Sequence, residues 1–171
     1  MTTYNTVRLR IKKAGFPELT SLENFDWTFN PEIGEAKIRE LSELKFIEEN
    51  QIELFLGPPG VGKTHIALAL GVLAAQRGYS VYWASSKKLS NQILQHRSRN
   101  TFDLFFKKVL SAKLWIIDDW GEVFPDPVIA NATVDRIFDR AKVVLFKGQS
   151  YRLKGRIKDR NREIDIEAKQ T

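Results

Sequence analysis

The sequence has no cysteine and only two histidines, His65 and His96. The first absence excludes disulfides, cysteine-ligated zinc and thiol catalysis, and the second argues against a multi-histidine metal site. Long apolar runs are missing as well. The longest, residues 66–75, is interrupted by Gly71, whereas a helix that crosses a bilayer needs about 20 apolar residues. The opening stretch MTTYNTVRLRIKK lacks the apolar core of a secretion signal. No internal repeat or low-complexity block is visible. A soluble, cytoplasmic protein without a membrane partner is the expectation.

What is present is an ordinary globular balance. The chain has 171 residues, 43% hydrophobic and 28% charged, enough for one domain with its own core. The net charge of +6 is unevenly placed. Residues 147–171 hold eight Lys/Arg and four Asp/Glu, so much of the basic character sits in the tail and leaves an anionic partner open.

Helical and strand patterns alternate along the chain. Asn30 before Pro31 reads as a helix start, and Ile33, Ile38, Leu41, Leu44 and Ile47 recur at helical spacing to residue 49. Residues 52–56 read as a buried strand, 57–62 as a turn, and 63–77 as a helix apolar nearly all round, with Gly78 past its end. A strand at 80–84 precedes helices at 86–96 and 101–110. A strand at 113–117, a helix from Asp126 to about residue 141 and a strand at 142–146 follow. This alternation predicts an α/β fold with a mostly parallel sheet covered on both faces.

One motif carries the chemistry. Gly57-Pro58-Pro59-Gly60-Val61-Gly62-Lys63-Thr64 matches G-x-x-x-x-G-K-[ST] and lies between a predicted strand and a predicted helix, the context that a phosphate-binding loop requires. Glycines let main-chain amides wrap a phosphate, and the helix start adds its positive dipole end. Lys63 would reach the β- and γ-phosphates, and the Thr64 hydroxyl would ligate Mg²⁺. A glycine-rich turn that merely ends in Lys-Thr is the bland alternative. The second element is Leu114-Trp115-Ile116-Ile117-Asp118-Asp119, an apolar strand ending in two acids, 55 positions after Lys63. In P-loop NTPases such a strand holds an Asp beside Mg²⁺, here Asp118, and a following acid polarises water. Acids that simply end a strand at the surface are the competing reading.

With these motifs the chain resembles the IstB/DnaC-like ATPases, helpers of insertion-sequence transposition and loaders of replicative helicases, and the IstB branch fits best. The resemblance begins at Arg10-Ile11-Lys12-Lys13-Ala14-Gly15-Phe16-Pro17 and runs through Leu22-Glu23-Asn24-Phe25-Asp26, LGPPGVGKTHIALALG and LWIIDD. It resumes at Trp120-Gly121-Glu122-Val123-Phe124 and closes on Lys147-Gly148-Gln149-Ser150-Tyr151-Arg152-Leu153-Lys154. It implies an AAA+-like P-loop NTPase, a three-layer sandwich, divided into an opening segment (1–30), an ATP-binding domain (31–154) and a basic tail (155–171) expected to be flexible. It further implies ATP and Mg²⁺ as cofactors, and DNA, further copies of the chain, and a transposase or replicative helicase as partners.

Two departures from the family stand out. The family's additional N-terminal helical region is not seen, since the chain starts almost at the ATPase module. The family also places a helix and another strand between the acid pair and the Trp-Gly-Glu-Val segment, whereas here Asp119 runs straight into Trp120. A βα unit takes about 30 residues, so the fold is expected to lack one strand and one helix. In the family that strand lies between the phosphate-loop strand and the acid-bearing strand. Its loss forces those two either to pair directly, displacing Asp118 by one strand position, or to leave a gap with unpaired main-chain groups. Nucleotide binding is therefore expected to survive better than hydrolysis. The junction leaves Asp119 open, as the second acid of the Mg²⁺ strand or as the residue before Trp-Gly.

The remaining candidates are weaker. The resemblance places Arg136 near the region from which such ATPases reach a neighbour's nucleotide, against an ion pair with Asp135 or Asp139. Arg152, Lys154, Arg156, Lys158, Arg160 and Arg162 alternate and, extended, would line one side for nucleic-acid phosphates, against a merely solvated tail. His65 and His96 read as helix-surface polar residues, and Phe102, Phe105, Phe106 and Trp115 as core. The resemblance puts the adenine contact near residues 25–31. The leading expectation is an ATP-binding accessory of DNA transposition. A helicase loader, a non-hydrolysing nucleotide-binding remnant and, more weakly, a small-molecule kinase are the alternatives.

Overall fold

The computed structural model describes residues 2–119 and 141–150, without the side chains of residues 2–4 and of Ala141. In chain order these residues form α1 (Thr2–Ala14), α2 (Glu35–Leu41), α3 (Lys45–Glu48), β1 (Ile52–Leu56) and α4 (Lys63–Gln76). They continue with β2 (Val81–Ser85), α5 (Ser86–Ser98), α6 (Phe102–Leu110), β3 (Leu114–Asp118) and β4 (Ala141–Leu145). The helix expected from Asp126 lies outside the described residues.

α4 organises the core. It is apolar on every side because every side is covered, and Ile66, Leu68, Ala69, Leu70, Gly71, Val72, Ala74 and Ala75 are buried. Gly78, at φ +101°, turns the chain away after its last turn. One flank, through Ile66 and Leu70, packs with Phe25, Ile33, Ile38, Val144 and Phe146. The other, through Ala74 and Ala75, packs with Ala14, Leu44, Ile47 and Val81, against which Leu114 and Ile116 lie. At Gly71 the helix closes so tightly on β3 and the opening segment that a Cβ would lie 2.5 Å from Ile116 Cδ1 and 2.9 Å from Phe16 Cε1.

Among the described residues the strands are parallel, as expected, and form two pairs. β1 pairs with β4, from Ile52 opposite Ala141 to Leu56 opposite Leu145. β2 pairs with β3, from Val81 opposite Leu114 to Ser85 opposite Asp118. β1 and β3 are not bonded to each other, so direct pairing, one of the two outcomes open to a shortened sheet, does not occur. The period of two shows on β1–β4: Phe55 and Val144 face the core, while Ile52, Val143 and Leu145 are exposed.

Residues 2–14, to which the sequence pattern assigns no element, are helical, with Lys12 and Lys13 at the carboxyl end, where the dipole favours cations. Other expectations need correction. The single helix expected over 31–49 is two short helices, broken where Leu44 takes φ +65°. Burying the Leu44 side chain holds that left-handed kink, rare for a branched residue. Asn30 caps no helix: Gly34 precedes α2, and the Asn30 side chain is committed elsewhere. Of the aromatics read as core, Phe105 is buried, but Phe106 and Trp115 are exposed. Phe106 stacks instead on Phe102, and Trp115 lies edge-on to Tyr82.

Candidate functional site

The loop between β1 and α4 is built for main-chain exposure. Gly60 and Gly62 stand at φ +79° and +103°, which only glycine adopts without strain, and Gly62 sits immediately before α4. No side chain caps that helix, and among the described residues the amides of Gly60, Val61 and Gly62 donate to no acceptor. The loop amides thus stand beside the positive dipole end of a well-buried, 14-residue helix. Lys63 Nζ donates to the carbonyls of Gly57 at 2.9 Å and Pro58 at 2.7 Å, which holds the ammonium inside the curve of its own loop. These groups suit an anion of phosphate size.

β3 brings an acid to the same place. Thr64 Oγ1 donates to Asp118 Oδ1 at 3.2 Å, across 54 positions of sequence. The separation of β1 from β3 therefore leaves Asp118 beside the helix start, not displaced from it. A hydroxyl and a carboxylate oxygen a hydrogen bond apart fit a hard cation that keeps most of its ligands as water and phosphate, as Mg²⁺ does. No cluster of three or more His, Cys, Asp or Glu occurs among the described residues. Asp119 leaves the strand with φ +55°, its carbonyl accepts from Ser86 Oγ, and its side chain is exposed. Arg136, Arg152, Lys154, Arg156, Lys158, Arg160 and Arg162 lie outside the described residues.

Two connections escaped the sequence reading. His65 is not a plain surface residue: its Nε2 lies 2.9 Å from Thr20 Oγ1 and 3.3 Å from the Ser21 carbonyl, and its ring lies 5.4 Å from that of Phe25. It docks the opening segment on the first turn of α4. His96 is likewise engaged, bonded to Thr101 Oγ1 at 2.8 Å and stacked on Phe105. The second connection is Asn30, which bonds both main-chain groups of Gln149. An asparagine–proline pair gives a strong local helix signal, and nothing local in it reveals a partner 119 positions away. β1 carries one further polar feature: burial pushes the Glu53 carboxyl upward from its ordinary value, against the pull of Lys37 and Lys142, and its Oε2 has no partner among the described residues.

A glycine-rich loop between a strand and a buried helix, with an acid-ended parallel strand at its threonine, defines an α/β P-loop nucleotide-binding protein. The chain belongs to the family of IstB-like ATP binding proteins, whose sequence profile matches residues 3–123 and 117–159. It is 32% identical to an IS21 insertion-sequence protein of Pseudomonas aeruginosa described as ATP-binding, over 85% of this chain and 69% of that one. It is 30% identical to the IS232 counterpart of Bacillus thuringiensis, over 92% and 78%. Among solved structures, the replication initiator DnaA bound to AMPPCP and single-stranded DNA superposes with a TM-score of 0.58 at 23% identity, over 84% of this chain and 48% of that one. DnaA of Aquifex aeolicus with AMPPCP superposes equally well at 22% identity, over 82% and 48%. This chain thus spans about half the length of those structures, and the likeness shows a shared fold.

The comparisons are consistent with an internally shortened chain. The alignment to the IS21 protein is 182 positions long but draws on 85% of this chain, about 145 residues, so about 37 positions of the relative have no counterpart here. The two profile matches overlap at 117–123, immediately where β3 ends. A strand and a helix fill about that length.

Proposed function

We propose that this chain is an ATP-binding helper of DNA transposition, holding Mg-ATP at the β1–α4 loop and acting on DNA with a transposase. The observation that carries the reading is the meeting of Thr64 and Asp118 at a loop whose Gly60, Val61 and Gly62 amides face no acceptor among the described residues. Main-chain groups of Gly57, Pro58, Pro59, Gly60, Val61 and Gly62 would surround the phosphates. Lys63 would exchange its two loop carbonyls for phosphate oxygens, a stronger, charge-assisted pairing. Thr64 and Asp118 would hold Mg²⁺, which when bound neutralises phosphate charge and orients it. Self-association would bring Arg136 of one copy toward the nucleotide of the next.

Two observations support the DNA part. The relatives are insertion-sequence proteins, and one DnaA of the same fold was solved with single-stranded DNA. Residues 86–113, spanning α5 and α6, hold seven Lys/Arg and a single acid, Asp103. Lys87 and Lys88, with Asn91, Gln92 and Gln95, line an open groove of about 380 Å³ beside Ser85. Such a surface binds anionic polymers with a steep dependence on salt. Residues 152–162 would extend that contact.

A second reading, a nucleotide binder that does not hydrolyse, is favoured by Asp119, whose exposed side chain sits on a left-handed residue turned out of the strand. Calorimetry with ATP, then phosphate release with and without duplex DNA, separates the readings. Release stimulated by DNA supports the helper, and binding without release supports the second reading. Lys63→Ala should weaken ATP binding about tenfold to a hundredfold, the loss of a charge-assisted hydrogen bond, without unfolding the protein. Asp118→Asn should leave Mg²⁺-free binding unchanged and abolish the gain from Mg²⁺. Unchanged ATP binding in Lys63→Ala would remove the site from consideration.

A further inference from the structure

We infer that Asn30 is a positioning residue of the nucleotide site, acting through the main chain of residues 146–149 on the point where the phosphate loop leaves β1. The inference rests on the ATP-binding reading for its consequence, though not for its geometry. Asn30 is 1% exposed, the most buried polar side chain among the described residues. Its Nδ2 donates to the Gln149 carbonyl at 2.8 Å, and the Gln149 amide donates to its Oδ1 at 2.8 Å. One carboxamide thus satisfies both main-chain groups of one residue, as a paired strand would. No apolar side chain can do so, and a buried unpaired peptide group is costly.

The contact continues to the loop without a break. Gly148 lies against the Asn30 side chain at φ +112°, so close that a Cβ there would be 2.8 Å from Asn30 Cγ. Phe146, two residues earlier and buried, donates its amide to the Leu56 carbonyl at 2.7 Å, and its ring lies 5.1 Å from Phe55. A Cβ on Gly57 would strike the Phe146 carbonyl oxygen. Gly57 is the first residue of the phosphate loop, and its carbonyl receives Lys63 Nζ. Asn30 therefore pins Gln149, Gln149 and Gly148 place Phe146, and Phe146 sets the path on which β1 gives way to the loop. The opening segment governs the shape of the anion site although none of its residues belongs to the motif.

The test uses Asn30→Ala beside Val109→Ala, a cavity variant in α6, with the temperature chosen so that circular dichroism shows both folded. Hydrogen–deuterium exchange of residues 57–63, measured without nucleotide, should quicken in Asn30→Ala and stay at the parental rate in Val109→Ala. The Kd for Mg-ATP should rise about tenfold in the first and stay unchanged in the second, because small misplacements of a preorganised site are costly. Parental exchange and parental Kd in Asn30→Ala, or equal changes in both variants, would overturn the inference. Altered loop exchange in a protein whose parent binds no ATP would uphold the coupling and refute the ATP-binding reading instead. If Asn30→Ala does not fold, Asn30→Asp takes its place. Ionised, it loses the bond to the Gln149 carbonyl, so at pH 8 loop exchange should exceed that of the parent measured at the same pH, and approach it toward pH 5 as the carboxyl regains a proton. Parental exchange at both pH values would again overturn the inference.

Discussion

β1 meets β4 at Ile52 and Ala141, 89 positions apart, whereas β2 meets β3 at Val81 and Leu114, 33 apart. The β2–β3 half is built from consecutive elements, with α5 and α6 supplied by the connection itself. The β1–β4 half, which carries the phosphate loop, depends on partners from both ends of the described chain: Phe25, Ile33 and Asn30 on one side, Val144, Phe146 and Gln149 on the other. Loop-closure entropy makes the second arrangement the slower to form and the more easily lost. The halves share α4 and the bond from Thr64 to Asp118. The phosphate loop and the acid therefore stay together although β1 and β3 are not paired, because the buried α4 packs against both strand pairs.

The largest effect is expected where the long-range half is tightest. Gly57→Ala places a methyl group on the Phe146 carbonyl oxygen and 2.9 Å from Phe146 Cβ, so backbone must move. A loss of about 3 kcal/mol is expected, read as a fall in melting temperature of ~6–12 °C. Exchange protection should be lost from β1 and β4 before β2 and β3. Simultaneous loss from all four strands would erase the distinction between the halves.

A smaller effect tests the seam. Gly71→Ala gains about 1 kcal/mol of helix propensity, but overlap with Ile116 Cδ1 and the Phe16 ring costs about 1–3 kcal/mol. A net loss near 1 kcal/mol is expected in a denaturant titration. Ile116→Val removes the struck methyl, so the double variant should be more stable than the sum of the singles by at least ~0.5 kcal/mol. Strict additivity would mean that α4 does not press on β3 at this point.

The smallest effect concerns Glu53 on β1. Its folded carboxyl is raised by burial above its unfolded value of 4.5. A raised acid favours folding fully below the unfolded pKa and loses that contribution as pH rises through the folded value. Glu53→Gln should therefore melt slightly higher than the parent at pH 7–8, by ~1–2 °C, with the difference closing toward pH 4. A difference that widens on acidification would reverse the assignment.

The local signals were legible because they are local. The strand–loop–helix around Lys63 is a spacing of glycines, a lysine and a threonine within eight residues. The all-round apolar pattern of residues 63–77 announces burial without naming what buries it. Asn30 misled for the same reason, since an asparagine before a proline is a helix start wherever no stronger partner competes, and Gln149 competes. Leu44 fits a helical period, yet its burial bends the chain there. His65 next to the loop threonine carries no sign that Thr20 and Ser21 will meet it.

Sequence alone determined the fold class, the phosphate-loop motif and the family, and the abrupt passage from Asp118 and Asp119 to Trp120 raised the expectation of a shortened sheet. Residues close along the chain constrain each other through bond geometry, helical and strand periods, and the dipole of a single helix. Only the tertiary structure decided whether β1 and β3 would pair. They do not: α4 fills its flanks against both, the acid stays at the threonine, and an asparagine from the opening segment holds the far strand in place. Such outcomes depend on which distant groups satisfy each other's hydrogen bonds and volumes, and no window along the chain contains both partners.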